Sequence, residues 1–177
     1  MWSQILRTDT QTGRTTEKAY MAAAARKGYL RVLKWARTGG CRWDEGVCDD
    51  AAEGGHLDVL KWARANDCPW GRLTCAKAAK SGHLRVVKWA RRNGCPWDAR
   101  VCSGAAEGGH LEVLKYARKN RCPWNEWTCI KAAEGGHLQV FKWAVANRCP
   151  YDIRVYVSAA RNGHVDVIEW AQANAYP

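Results

Sequence analysis

Residues 68–94 read Cys-Pro-Trp-Gly-Arg-Leu-Thr-Cys-Ala-Lys-Ala-Ala-Lys-Ser-Gly-His-Leu-Arg-Val-Val-Lys-Trp-Ala-Arg-Arg-Asn-Gly, and at residue 95 the chain begins Cys-Pro-Trp again. The step is 27 residues. It carries a turn cysteine through Cys41, Cys68, Cys95, Cys122 and Cys149, and Gly-His through His56, His83, His110, His137 and His164. An aromatic follows at Trp35, Trp62, Trp89, Tyr116, Trp143 and Trp170. A fixed period of this size means stacked supersecondary units, each burying its apolar face against its neighbours. Such arrays present surfaces and seldom carry out chemistry.

Within residues 68–94, Pro69 fixes its own φ and disfavours helix in the residue before it, so Cys68-Pro69-Trp70 reads as a turn. A first helix is expected over about Arg72 to Lys80, with Cys75, Ala78 and Ala79 inward. Ser81-Gly82 ends it, glycine being free to adopt the left-handed conformation that closes a helix. A second helix then runs from His83 to about Arg92, with Leu84, Val86, Val87 and either Trp89 or Ala90 on its apolar face. Asp98, Asn125 and Asp152 stand where a helix N-cap belongs. The fold expected is all-α: a solenoid of six stacked antiparallel helical hairpins in one domain over 15–177, preceded by an N-terminal extension over 1–14. Trp2, Ile5 and Leu6 are placed to fold over the first unit, and the polar Glu169 and Gln172 to cap the last.

The segments Ala51 to Trp62, Ala105 to Tyr116 and Ala132 to Trp143 share the pattern Ala-Ala-x-x-Gly-His-Leu-x-Val-hydrophobic-Lys-aromatic. It resembles the central signature of the ankyrin repeat. The likeness is strongest to the tryptophan- and cysteine-rich arrays of large DNA viruses and of algae and related protists. The family's Thr-Pro-Leu-His becomes Thr74-Cys75 or Val101-Cys102 here. The unit is also shorter than the usual repeat of about 33 residues. The loss falls between repeats, where Cys-Pro-Trp is too short for the family's projecting β-hairpin. The resemblance implies a non-enzymatic scaffold that binds another protein, with blunt turns instead of fingers.

Composition narrows the partners. The chain has 177 residues, a net charge of +11 and nine cysteines. No apolar run approaches the ~20 residues that span a bilayer. Equivalent cysteines in successive units should stand ~8–10 Å apart, beyond the ~7 Å Cα limit of a disulfide. Cys68 and Cys75 lie on a turn and a helix, and pairing them would need a fortunate geometry. Free, mostly buried thiols in a reducing intracellular compartment, cytoplasm or nucleus, are expected. The cysteine spacing is not that of structural zinc, so no metal and no cofactor are expected. The recurrent histidines are expected to hydrogen-bond a neighbouring loop carbonyl.

Three surfaces are candidates for binding. On the first helices, matched positions vary within the fixed frame: Asp49, Asp50 and Glu53, then Lys77 and Lys80, then Glu107, then Lys131 and Glu134. Trp127 breaks the repeat and is expected to be exposed, as the best single anchor for a protein partner. On the second helices a basic stripe runs through Lys34, Arg37, Lys61, Arg64, Lys88, Arg91, Lys115, Arg118 and Lys142, with Arg92 and Lys119 beside it. Such a row suits a phosphate backbone or another polyanion, and nucleic acid is the alternative partner. The tryptophans are expected to stack between units as a ladder, with Trp43, Trp70, Trp97 and Trp124 plugging the turns. A third reading makes the chain a subunit of a larger assembly; alone it is expected to be monomeric.

Overall fold

A computed structural model describes residues 12–174, with side-chain burial from residue 17. Trp2, Ile5 and Leu6 lie outside the described residues. Twelve helices follow one another: α1 Thr12–Arg26, α2 Leu30–Thr38, α3 Glu45–Glu53, α4 Leu57–Ala65, α5 Arg72–Lys80, α6 Leu84–Arg92, α7 Ala99–Glu107, α8 Leu111–Lys119, α9 Glu126–Glu134, α10 Leu138–Ala146, α11 Arg154–Arg161 and α12 Val165–Ala173. No strand occurs among the described residues, so the turns between hairpins are blunt. The expected boundary after residue 14 falls inside α1.

Each unit is built the same way. The Asp98 carboxylate accepts from Arg100 N at 3.0 Å and starts α7, as Asp44 starts α3 through Gly46 N at 3.0 Å. At the same place Gly71 has no side chain, and its N–H instead donates to Thr74 Oγ1 at 3.3 Å. Helices of nine residues then run to Gly-Gly, as after α7, or to Ser-Gly, as after α5. Gly55, Gly82, Gly109 and Gly136 hold φ between 68° and 77°, a left-handed geometry that glycine enters without cost. The second helix ends in a comparable residue: Gly94 at φ 82°, and Asp67, Arg121 and Arg148 at 61°, 59° and 64°. Asn66, Asn93, Asn120 and Asn147 each donate their side-chain amide to the carbonyl four residues back, at 2.8 Å, holding this end closed.

The odd-numbered helices form a closely packed row in which each touches the next along its length, whereas even-numbered neighbours meet only lightly. The cause is side-chain size. Ala51-Ala52, Ala78-Ala79, Ala105-Ala106 and Ala132-Ala133 are fully buried and let first-helix backbones approach closely. A β-carbon at Gly104 would lie 2.9 Å from the Ala76 carbonyl. Bulkier Val59, Leu60, Val86, Val87, Leu114 and Phe141 fill the wedge between the two layers.

The tryptophans depart from the expected ladder. Second-helix rings meet turn rings edge-on rather than one another: Trp43 with Trp62, Trp70 with Trp89 and Trp124 with Trp143, at centroid distances of 5.3, 5.7 and 6.0 Å. Second-helix tryptophans in successive units are held apart because their helices are, and the turn ring fills the gap; at the C-terminal end Phe141 and Trp170 do meet edge-on, at 5.5 Å. Trp35 is 64% exposed and has left the core altogether. The last unit has the polar Glu169 and Gln172 exposed as expected, yet Ile153, Val157 and Val165 are exposed beside them.

Candidate interaction surfaces

Four of the five histidines act as clasps between units. His83 Nε2–H donates to the Glu53 carbonyl at 3.0 Å, His137 to Glu107 at 2.9 Å and His164 to Glu134 at 3.1 Å. Each acceptor is the last residue of the preceding unit's first helix, an end that would otherwise leave a carbonyl orphaned. His110 bonds the Lys80 carbonyl in the same way, and its burial lowers its pKa below the usual histidine range. The ring lies over the preceding unit's left-handed glycine.

On the first helices the charged candidates form one stripe, spaced i and i+3: Asp50 and Glu53 on α3, Lys77 and Lys80 on α5, Glu107 on α7, Lys131 and Glu134 on α9. Much of the stripe is internally paired. Arg26 bonds Asp50 at 2.5 Å and Glu53 at 2.9 Å, and Lys77 reaches the same two carboxylates at 3.1 and 3.0 Å. Lys80 meets Glu107 at 2.9 Å, and Lys131 meets Glu134 at 2.8 Å. Complementary charge between neighbouring units thus accounts for part of the variation at these positions. Asp49 and Asp50 correct the expectation of an open surface, since they are only 5% and 7% exposed. Asp49 lies off the stripe and accepts a 2.6 Å hydrogen bond from Thr74 Oγ1; its burial holds its pKa above the ordinary carboxylate range.

The N-terminal end of this stripe is different. Trp127 is 46% exposed, with the Arg154 guanidinium over its ring at 5.4 Å. Leu73, at the matching position of α5 two units earlier, is 44% exposed. Arg100 lies between them in the same register, paired with Asp98 at 2.7 Å. The sequence reading passed over Leu73, although its offset from Trp127 of twice the repeat was there to be seen.

The basic stripe on the second helices is largely committed to the fold. The guanidinium groups of Arg37, Arg64, Arg91 and Arg118 lie over Trp43, Trp70, Trp97 and Trp124, 4.1–4.6 Å from the ring centroids. Arg37 also donates to the Cys41 carbonyl at 3.1 Å, and Arg64 and Arg118 to those of Cys68 and Cys122. Lys88 stands over Tyr116 at 5.5 Å and Lys142 over Trp170 at 5.7 Å, while Lys115 pairs with Glu112 at 2.8 Å. Lys34 and Lys61 are exposed on the same face. A shallow groove there is lined by Lys115, Arg118, Lys119, Trp124, Trp143 and Asn147.

Among the described residues, no three histidine, cysteine or carboxylate side chains gather as a metal site, and no helix is long and apolar enough to cross a membrane. No protein-family model matches the chain, and no curated protein matches its sequence. Among solved structures the chain is similar to the human ASB11 ankyrin repeat domain, with a TM-score of 0.68 over 89% of this chain and 84% of that one, at 17% identity. The fold is that of an ankyrin repeat stack.

Proposed function

We propose that this ankyrin-type array is a non-enzymatic scaffold that binds another protein along the first-helix stripe, with Trp127 and Leu73 as its apolar anchors. One observation carries the reading: two large apolar side chains, each more than two-fifths exposed, share one register of the first helices. Aromatic and arginine side chains at such positions carry a large share of binding energy in protein interfaces. Two units of packed helices separate them by about 16–20 Å, a span that a helix or extended segment of the partner can bridge. Arg100 and Arg154 supply cations beside the anchors, and the Lys80–Glu107 and Lys131–Glu134 pairs form a polar rim.

The test is affinity capture from the native cell extract with the wild-type chain and with Leu73→Ser/Trp127→Ser. The reading expects a protein retained by the first and lost by the second, with matched thermal midpoints. Equal retention by both would contradict it. The groove at Lys115, Lys119, Trp124 and Trp143 supports a second reading, binding of single-stranded nucleic acid by stacking and charge. Fluorescence anisotropy with labelled single- and double-stranded oligonucleotides decides that reading. Binding that persists at physiological salt favours it, and no binding at low salt excludes it.

A further inference from the structure

Eight of the nine cysteines fall into four pairs separated by 20 residues: Cys48 with Cys68, Cys75 with Cys95, Cys102 with Cys122, and Cys129 with Cys149. In each pair one thiol sits on the first helix of a hairpin and the other just beyond the end of its second helix. In all four the two thiols lie close enough that ionisation of one disfavours ionisation of the other. The turn thiols are fixed further by donating to the carbonyls of Asp44, Gly71, Asp98 and Asn125, at 3.5, 3.4, 3.3 and 3.4 Å. These acceptors immediately precede the first helices, so each turn sulfur is anchored beside the helix that carries its partner. Cys48 Sγ also lies 3.9 Å from the Cys68 carbonyl.

Neither end hairpin has the complete pair. Counting the same 20 residues, Cys41 faces Met21, and Tyr156 corresponds to Tyr176 in sequence. All nine are free thiols here. No third metal-ligating side chain joins any pair among the described residues, so the chemistry available to them is that of two adjacent thiols.

We propose that the four internal hairpins are disulfide-forming sites, oxidised by a low-molecular-weight disulfide, each bond tying the start of a first helix to the end of its own second helix. The turn thiolate attacks the small disulfide and forms a mixed disulfide, releasing one small thiolate. The first-helix thiolate then attacks the turn sulfur and displaces the second. Two electrons pass from the protein to the small disulfide, and the two protein protons end on the two small thiols released. The neighbouring thiol and burial push Cys48, Cys102 and Cys129 on the first helices, and Cys95 in a turn, well above the ordinary thiol range, so the reaction is slow at neutral pH and accelerates with alkali. Entry requires only local opening of the turn, where Pro69, Pro96, Pro123 and Pro150 are exposed above the buried sulfurs.

The experiment incubates the full chain with oxidised glutathione at neutral and mildly alkaline pH, followed by intact mass and peptide mapping without reduction. The proposal expects loss of about 8 Da for four bonds, two hydrogens each, offset by the mass of one attached glutathione. It also expects links at the four named pairs and a glutathione adduct confined to Cys41, which is only partly buried. Cys68→Ser should remove one link and leave the other three, with Cys48 free or carrying glutathione. Glutathione adducts at the paired positions without internal links would overturn it, as would links between units such as Cys48 to Cys75. Unchanged mass in urea that opens the turns without unfolding the array would overturn it equally.

Discussion

His83 Nε2 lies 3.0 Å from the carbonyl of Glu53, and its ring occupies the space where a β-carbon on Gly55 would fall, 2.6 Å from the nearest ring atom. The glycine and histidine of the Gly-His motif thus act across units: the glycine of one accommodates the histidine of the next. The same contact recurs between Gly82 and His110, Gly109 and His137, and Gly136 and His164.

Gly55→Ala should therefore cost more than Gly94→Ala. Both place a β-carbon at positive φ, 77° and 82°, but nothing lies within 4 Å of Gly94. The strain common to both is about 1–2 kcal/mol. At Gly55 displacement of His83 from the Glu53 carbonyl adds about 1–3 kcal/mol. Urea midpoints of the two variants measure the difference, and equal midpoints would remove the clasp from the account.

The stability contributed by His110 should fall on mild acidification. His110 has its pKa lowered chiefly by burial, so the unfolded chain takes up this proton first as pH drops. Its contribution is intact above the unfolded value near 6.5 and is lost as pH falls through that value toward the folded one. The thermal midpoint of wild type minus that of His110→Gln, followed from pH 7.5 to pH 5, isolates this residue from Asp49, whose raised pKa has its own effect. The difference should shrink toward acid pH.

Thr74→Val strands a buried carboxylate. Asp49 loses its 2.6 Å bond from Thr74 Oγ1, and the Gly71 N–H loses its acceptor as well. A loss of about 2–3 kcal/mol is expected, recovered in part by adding Asp49→Ala. A double-mutant cycle that returned no coupling would contradict the pairing.

The two kinds of basic residue on the second helices should separate cleanly. Arg64→Met removes both the stack on Trp70 and the bond to the Cys68 carbonyl, with an expected cost of about 1–2 kcal/mol. Lys61→Met, on an exposed position of the same helix, should stay within about 0.5 kcal/mol of wild type. Arg64→Lys should not restore Arg64, because an ammonium cannot lie flat on the ring and reach the carbonyl together.

The fold was legible because its cues are local. The 27-residue step, the Gly-His turn and the alanine pairs gave α5 over Arg72–Lys80 and placed His83 at the start of α6. The surfaces were harder to read, since partners across units are set by how the helices stack. Asp49 and Asp50 looked like free surface charge until Thr74, Arg26 and Lys77 were seen to reach them. The arginines of the basic stripe looked available until the turn tryptophans were found beneath them. The cysteine pairing was present as a 20-residue interval, but the shorter interval, Cys68 to Cys75, joins the turn after one hairpin to the first helix of the next.

The central claim is that a protein partner lies along the first helices and touches Trp127. A photoreactive benzoylphenylalanine placed at position 127 in one variant, and at exposed position 61 in another, tests it directly in native extract. The account expects a protein crosslinked from position 127, absent from position 61, and lost when Leu73→Ser is added. Crosslinking from position 61 alone would contradict it and move the interaction to the basic outer face.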